Sequence, residues 1–294
     1  MGKNTKKLVI FITGCSSGFG YLTAKTLAKE GHIVYASMRN TGTRNSGKKK
    51  ELEDFGKDNG YHLKVLDCDV LSTESVDKAI QDVIAAEKQV DVVVNNAGYG
   101  LYGPLEFGTD ETIRHQFDTN VYGAIRVVRS ALPHMRARRS GKIINVGSIA
   151  GSIVLPHFGY YAATKFALES LSAALLGECY LFDIKVATIQ PHGYATNFQG
   201  SSMRKTVPVD DSGDYKASYK DALQVENDIV HPTNDNQQVA DKIAWVIRKK
   251  NPPFRNPVGK NARRDLFFSK FMKAFSKIKM GAKMYGATNL MKKI

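Results

Sequence analysis

The chain has few of the residues from which several familiar protein classes are built. Its 294 residues include three cysteines, Cys15, Cys68 and Cys179, too far apart for a metal-ligand spacing, so no metal site is expected. An odd, sparse count argues against a disulfide framework and for a reducing, cytoplasmic setting. Long apolar runs are missing too. The basic start, Met1 to Lys7, is followed only by Leu8 to Ile12. That run is too short for a signal segment or a membrane span and reads as a first strand. No internal repeat or low-complexity tract is visible. A general excess of charge is also absent once the charge is located. The formal net charge is +14, but Arg248 to Ile294 hold fourteen Lys or Arg and one acid, Asp265, leaving 28 basic and 27 acidic residues elsewhere. A nearly neutral body offers no broad phosphate-binding face, so nucleic acid is not an expected partner.

What is present is a rhythm. Apolar strands are expected at Leu8 to Ile12, Ile33 to Ser37, Leu63 to Leu66, Val90 to Val94, Lys142 to Val146 and Ile184 to Ile189, with a last edge strand at Phe254 to Val258. Between them, helical patterns run over Tyr21 to Glu30, from Ser72 or Thr73 to about Lys88, Asp110 to Met135, Tyr160 to Leu181 and Val239 to Lys250. Strands alternating with helices of this length make a parallel sheet covered on both sides. The expected fold is α/β: a single Rossmann-like, doubly wound parallel sheet of about seven strands over residues 1–260, with an extension over 261–294. Gln199 to Asn236 breaks the rhythm and is polar, rich in Ser and Asp. It follows the sixth strand, at the carboxyl end of the sheet where ligands bind in open α/β folds, so 194–236 is expected to be a substrate loop.

Gly14, Gly18 and Gly20 follow the first strand and open the first helix, in Thr13-Gly14-Cys15-Ser16-Ser17-Gly18-Phe19-Gly20. A tight turn, close approach of backbone to phosphate and close helix–strand contact each exclude a side chain. The helix start then offers free N–H groups and partial positive charge to a pyrophosphate. Such a trio alone is a weak signal; its placement in the first unit makes it a dinucleotide site. At the end of the second strand the sequence reads Ala36-Ser37-Met38-Arg39-Asn40. No acid waits there for a ribose 2′-hydroxyl, and Arg39 is placed to meet a 2′-phosphate, so NADP(H) is expected over NAD. The alternative is a solvated surface arginine.

Farther along, Ser148 precedes Tyr161 by thirteen residues, and Lys165 follows one helical turn after Tyr161. Tyrosine is a poor acid near neutrality, with a free pKa of about 10. An ammonium group at i+4 shares its helix face and stabilises the phenolate. Lowering the phenol by about three pH units takes about 4 kcal/mol of differential stabilisation, to which a cationic nicotinamide adds. Tyr161 then donates its proton to a carbonyl oxygen as hydride arrives, or accepts one in reverse, while Ser148 holds the same oxygen. Tyr160 has Thr164 at i+4 and is the weaker candidate.

These residues, with Asn95-Asn96-Ala97-Gly98, resemble the short-chain dehydrogenase/reductase family over roughly Lys7 to Gly259. The resemblance implies that Tyr161 is the acid/base, that Lys165 also binds the nicotinamide ribose, and that Ser148 orients substrate. It implies that Asn120 holds a water for a proton relay to Lys165. Ser16, Ser17 and Phe19 would meet the cofactor within the glycine turn, Asp69 and Val70 would line the adenine pocket, and Asn96, Ala97 and Gly98 would pass along the cofactor. Pro191 and Thr196 keep the family's Pro-Gly-x-x-x-Thr spacing, but His192 replaces its glycine, which puts the role of Thr196 in doubt. His192 either touches substrate or tolerates the turn. Family members are often homo-oligomers, joined here through the helices over Asp110 to Met135 and Tyr160 to Leu181.

The stretch from Tyr99 to Leu105 is most similar to the branch acting on hydroxysteroids, retinoids and related lipophilic alcohols. Expected pocket walls are Tyr99, Leu101, Val154, His157, Phe158, Tyr194 and Phe198, mostly apolar and each open to a core reading instead. The implied function is NADP(H)-dependent interconversion of an apolar alcohol and its carbonyl. Two alternatives stand beside it: a 3-oxoacyl-thioester reductase, and a non-catalytic cofactor-sensing protein. In the tail, Phe267, Phe268, Phe271, Phe275 and Ile278 fall on one helical face, with Lys270, Lys273 and Lys277 opposite. Such a basic amphipathic helix either lies on an anionic membrane surface or packs its apolar face on the body or a partner subunit.

Overall fold

The computed structural model describes residues 7–194, 204–206 and 235–269. The strands in chain order are β1 (Val9–Ile12), β2 (Ile33–Met38), β3 (Leu63–Asp67), β4 (Val92–Asn95), β5 (Gly100–Tyr102), β6 (Gly141–Val146), β7 (Ile184–Pro191), β8 (Arg204–Thr206) and β9 (Arg255–Val258). The helices are α1 (Gly18–Lys29), α2 (Ser46–Asp58), α3 (Thr73–Glu87), α4 (Asp110–Phe117), α5 (Gly123–Arg138), α6 (Gly159–Tyr180), α7 (Gln237–Arg248) and α8 (Ala262–Ser269).

Seven strands form one sheet in the order β3-β2-β1-β4-β6-β7-β9, every neighbouring pair parallel. Its central strands are apolar on both faces because both are covered. Ile10 and Ile12 point into a layer with Leu27 of α1 and Val239, Ile243 and Ile247 of α7. Val9 and Phe11 point the other way, onto Val76, Ile80 and Val83 of α3 and Val127 of α5. Each such side chain contributes about 1.5–3 kcal/mol on burial. The expected doubly wound sheet of seven strands with helices on both faces is therefore the fold. Strand order reverses between β1 and β4, and the crevice beyond their carboxyl ends is the natural ligand site. No helix among the described residues is long and apolar enough to cross a membrane.

Three local features differ from expectation. The helix expected over Asp110 to Met135 is interrupted at Asp118–Tyr122 by a π turn, closed where the Gly123 N–H bonds the Asp118 carbonyl five residues back. Helical periodicity continues through one inserted residue, so no apolar pattern announces it. Helix α2 was not anticipated. It buries only Leu52 and Gly56, too few for a period to show. The short strand β8 lies inside the expected substrate loop and pairs in parallel with β5, Tyr102 opposite Thr206.

The tail begins as a docked helix. Asp265 of α8 is 3% exposed, and its Oδ2 lies 3.2 Å from His192 Nε2 at the end of β7. Phe267 and Phe268 remain exposed. Lys270 to Ile278, with the rest of the amphipathic pattern, lie outside the described residues.

Candidate active site

The crevice is built from backbone constraints. Gly14 turns at φ +72°, and a Cβ there would stand 2.8 Å from the Ala97 Cα. A Cβ on Gly20 would collide with the Gly14 carbonyl and the Asn96 amide. Asn96 locks the two strand ends together: its Nδ2 donates to the Thr13 carbonyl (2.9 Å) and the Gly14 carbonyl (3.1 Å). The Thr13 Oγ1 accepts from the Asn96 and Ala97 N–H groups, both at 3.0 Å. Gly18, by contrast, turns at φ +58° with no atom within 4 Å of its would-be Cβ. Helix α1 starts beside it, and the Ser17 side chain makes no capping bond to that start. Unfilled space at a bare helix N-terminus fits a diphosphate.

Beside the turn lies a cleft of about 190 Å³, bordered by Arg39, Arg44, Asp69, Val70, Gly98 and Tyr99 among others. Arg44 was missed in the sequence because it lies past the strand end, in the turn before α2. The Asn45 side chain ties that turn back by donating to the Arg39 carbonyl (2.7 Å). Asp67, the acid nearest the end of β2, is occupied: it accepts from the Thr41 N–H (2.8 Å) and hydroxyl (2.6 Å). Asp69 accepts from the Leu71 N–H at 3.1 Å, shaping the turn that presents Val70. Val70 packs where Gly123 lacks a side chain, a Cβ there falling 2.9 Å from the Val70 Cβ. The cleft thus has two cations at the β2 end, Arg39 and Arg44. Tyr99, expected on the substrate wall, lines this cleft instead, its hydroxyl 2.8 Å from His115 Nδ1. Burial pushes its phenol up to about 12, with the Arg39 charge acting against it.

Ser148, Tyr161, Lys165 and Asn120 meet where β6, the π turn and α6 converge. Ser148 follows β6; its hydroxyl oxygen accepts from the Ala150 N–H (3.1 Å), and it hydrogen-bonds the Tyr161 phenol. Tyr160 points elsewhere, its hydroxyl held by the Leu105 carbonyl. Lys165 is 7% exposed; its Nζ lies 5.7 Å from the Tyr161 ring centroid and donates to the Val146 carbonyl at 2.8 Å. Asn120 sits in the π turn, which turns its amide inward. Its Nδ2 donates to the Tyr99 carbonyl (2.8 Å) and to Thr164 Oγ1 (3.1 Å), and its Oδ1 accepts from the Tyr99 N–H (3.0 Å). Gly98 lies between Asn120 and Lys165: a Cβ there would stand 3.0 Å from Asn120 Oδ1 and 3.9 Å from Lys165 Nζ.

The electrostatics correct one expectation. Lys165 does not by itself lower Tyr161. Burial pushes the phenol up to about 12, and only the Ser148 hydrogen bond works the other way. The lysine is itself pushed down to about 8 by burial, with the Glu169 carboxylate holding it up. Both groups lose water, and each loss disfavours the charged form. An acidic Tyr161 therefore requires further positive charge in the crevice.

Tyr102, not anticipated, stacks on the Tyr161 ring at 6.5 Å and meets Phe158 edge-on at 4.5 Å. A lone aromatic on a three-residue strand carries no periodic signal. Leu101 is fully buried and Val154 is 37% exposed. His157 sits at φ +66°, its carbonyl accepting from the Gly103 N–H at 2.8 Å. Tyr194 turns away from the expected wall: its ring meets Phe19 edge-on at 5.7 Å and its hydroxyl donates to Gln238 Oε1 at 2.8 Å. It packs on the glycine-turn helix because α7 closes over it. Pro191 ends β7. His192 is pinned by Asp265 and by its own N–H to the Val258 carbonyl (3.0 Å). Thr196 and Phe198 lie outside the described residues.

A doubly wound sheet with a glycine cradle at its switch point and a serine–tyrosine–lysine cluster beside it defines a dinucleotide-dependent oxidoreductase. The family model for short chain dehydrogenase matches residues 8–206. Over 255 residues the chain is 37% identical to the 3-ketodihydrosphingosine reductase of Bacteroides thetaiotaomicron, covering 85% of this chain and 87% of that one. It is 35% identical over 255 residues to retinol dehydrogenase 8 of Bos taurus, covering 84% and 80%. A solved short-chain dehydrogenase from Streptomyces avermitilis superposes with a TM-score of 0.78 at 28% identity, over 97% of this chain and 98% of that one. The chain belongs to the short-chain dehydrogenase family and is an oxidoreductase of that kind.

Proposed function

We propose that the protein is an NADP(H)-dependent reductase or dehydrogenase interconverting an apolar alcohol and its aldehyde or ketone. The observation that carries this reading is the Ser148–Tyr161 hydrogen bond with Lys165 beside the same ring. The cradle at Gly14, Gly18 and Gly20 fits the diphosphate, and Arg39 and Arg44 fit a ribose 2′-phosphate. The nicotinamide, when bound, supplies the hydride, and its oxidised ring a positive charge. The remaining work falls to the chain. Ser148 orients the carbonyl oxygen, and Tyr161 delivers its proton to that oxygen in reduction and takes it back in oxidation. Lys165, held on the Val146 carbonyl, adds its charge to that of the oxidised nicotinamide in favouring the phenolate left behind, and Asn120 fixes the Tyr99 backbone and Thr164 around it. Tyr102 and Phe158 give the substrate an aromatic surface over Tyr161.

The names of the relatives favour long or polyunsaturated apolar substrates: one reduces a 3-keto sphingoid base and another acts on retinol. Solved members of the fold carry NADP in some cases and NAD in another, so the choice for this chain rests on its two arginines. The test is NADPH oxidation against a panel of long-chain ketones and retinal. Tyr161→Phe is expected to lose about 10²–10⁴-fold in turnover while NADPH still binds. Full turnover in that variant removes the assignment.

A further inference from the structure

A second cavity lies away from the cofactor crevice, where α6, α7, α8 and β9 meet. It offers about 770 Å³ and reaches Gly151 and Ser152 on one side and Leu266 and Phe267 on the other. Its walls are largely apolar and include Phe166, Trp245, Leu266 and Phe267.

Two polar features make this more than an apolar gap. Gln190, on β7, lines the cavity and is 0% exposed, yet among the described residues neither its Nε2 nor its Oε1 has a hydrogen-bond partner. A fully buried amide with both ends unmet is costly unless something polar enters the space beside it. Lys242 and Arg263 also line the cavity. Their charges repel: burial and the Arg263 charge both lower the Lys242 ammonium. The acid that lines the cavity, Glu169, is already neutralised, its Oε2 3.2 Å from Arg255 Nε. The site therefore offers two cations that form no ion pair among the described residues, and an amide donor, beside an apolar surface.

We infer that this cavity binds a single-chain anionic amphiphile, with its head group on Lys242, Arg263 and the Gln190 amide and its chain on Phe166, Trp245, Leu266 and Phe267. Charge complementarity selects an anion, and the apolar walls select an alkyl chain over a free phosphate. The site is separate from the cofactor crevice and does not depend on the reaction assigned to it. It lies close behind the serine loop, since Gly151 and Ser152 belong to the segment that follows Ser148.

Trp245 is the one tryptophan in the chain, so it reports this site alone. Titrating the whole protein with 9,10-dibromostearate, whose bromines quench indole on contact, is expected to give saturable quenching that stearate reverses. Lys242→Glu with Arg263→Glu is expected to weaken binding about tenfold or more, and Gln190→Leu to weaken it by a smaller factor. NADPH binding in the same variants verifies that the fold is intact. Absence of quenching overturns the proposal. So does quenching that the charge reversal leaves unchanged, or quenching seen only with brominated phospholipid vesicles, which would assign the surface to a membrane instead.

Discussion

The two ends of the crevice are held by different kinds of interaction. At the glycine turn, strand ends meet through main chain and short side chains: Thr13, Gly14, Asn96 and Ala97 bond within one knot, and no charge is involved. On the β7 side, segments far apart in sequence are joined by side chains. His192 meets Asp265, Glu169 meets Arg255, and Tyr194 bridges Phe19 and Gln238. The first construction tolerates no volume and the second tolerates no missing partner. That difference separates a cradle shared by every dinucleotide of this class from the part of the molecule where a chain becomes specific.

Breaking the cradle has the larger effect. Gly20→Val places a side chain against the Gly14 carbonyl and the Asn96 amide, neither of which has room to move. Overpacking of this kind costs about 3 kcal/mol or more, so the expected outcome is loss of NADPH binding and a lower midpoint in denaturant. Breaking the β7 side should be milder and should read first in stability. Asp265→Ala leaves His192 and Arg264 without their carboxylate, and leaving a buried side chain without its hydrogen-bond partner costs about 1–3 kcal/mol. Chemical denaturation measures it. If the midpoint is unchanged, α8 is not what holds the β7 end. Arg39→Ala with Arg44→Ala sharpens the contrast within the cofactor site. NADPH affinity is expected to fall about tenfold or more, for lost charge-assisted bonds, while NADH affinity stays level. Equal losses for both dinucleotides would remove the 2′-phosphate reading.

The same division explains what the sequence disclosed. Apolar runs and helical periods placed all seven strands of the main sheet, because strands buried on both faces are written as Val-Ile-Phe-Ile or Val-Val-Val. The glycine turn and the order of Ser148, Tyr161 and Lys165 were legible because each depends on residue type at fixed spacing. The π turn at Asn120 was hidden, since one inserted residue leaves the apolar stripe intact. Tyr102 was hidden because three residues make no period. Tyr99 and Tyr194, expected on the substrate wall, were not separable from other placements: Tyr99 lines the cofactor cleft and Tyr194 packs on Phe19, and an aromatic after a strand reads alike whether it turns toward substrate, the cofactor cleft or the core. The partner of His192, seventy-three positions on, was beyond any local pattern.

The smallest expected effect tests whether the two constructions are independent. Glu169 belongs to the β7 side through Arg255, yet its charge also acts on Lys165 one turn before it. Burial lowers the lysine to about 8 and the Glu169 carboxylate opposes that fall. If the ammonium form is the working one, turnover at saturating NADPH falls as pH rises through about 8, and Glu169→Gln moves that inflection lower. The stability contribution has the opposite sign. A lysine whose pKa lies below its ordinary 10.5 gives up its proton in the folded protein first, so the unfolded chain binds more protons between about 8 and 10.5. Over that window this group makes folding more favourable as pH rises. Cys15, Cys68 and Cys179, all pushed up by burial from an ordinary 9.0, act the other way as the unfolded thiols ionise over the same interval, so the Lys165 part is read from the difference between the native protein and Glu169→Gln. Between pH 8 and 9, then, activity should decline while the Lys165 contribution to stability grows, and both curves should shift together in Glu169→Gln. An activity profile that stays in place in that variant would mean that the carboxylate supports only Arg255, and that the two sides of the crevice are electrostatically separate.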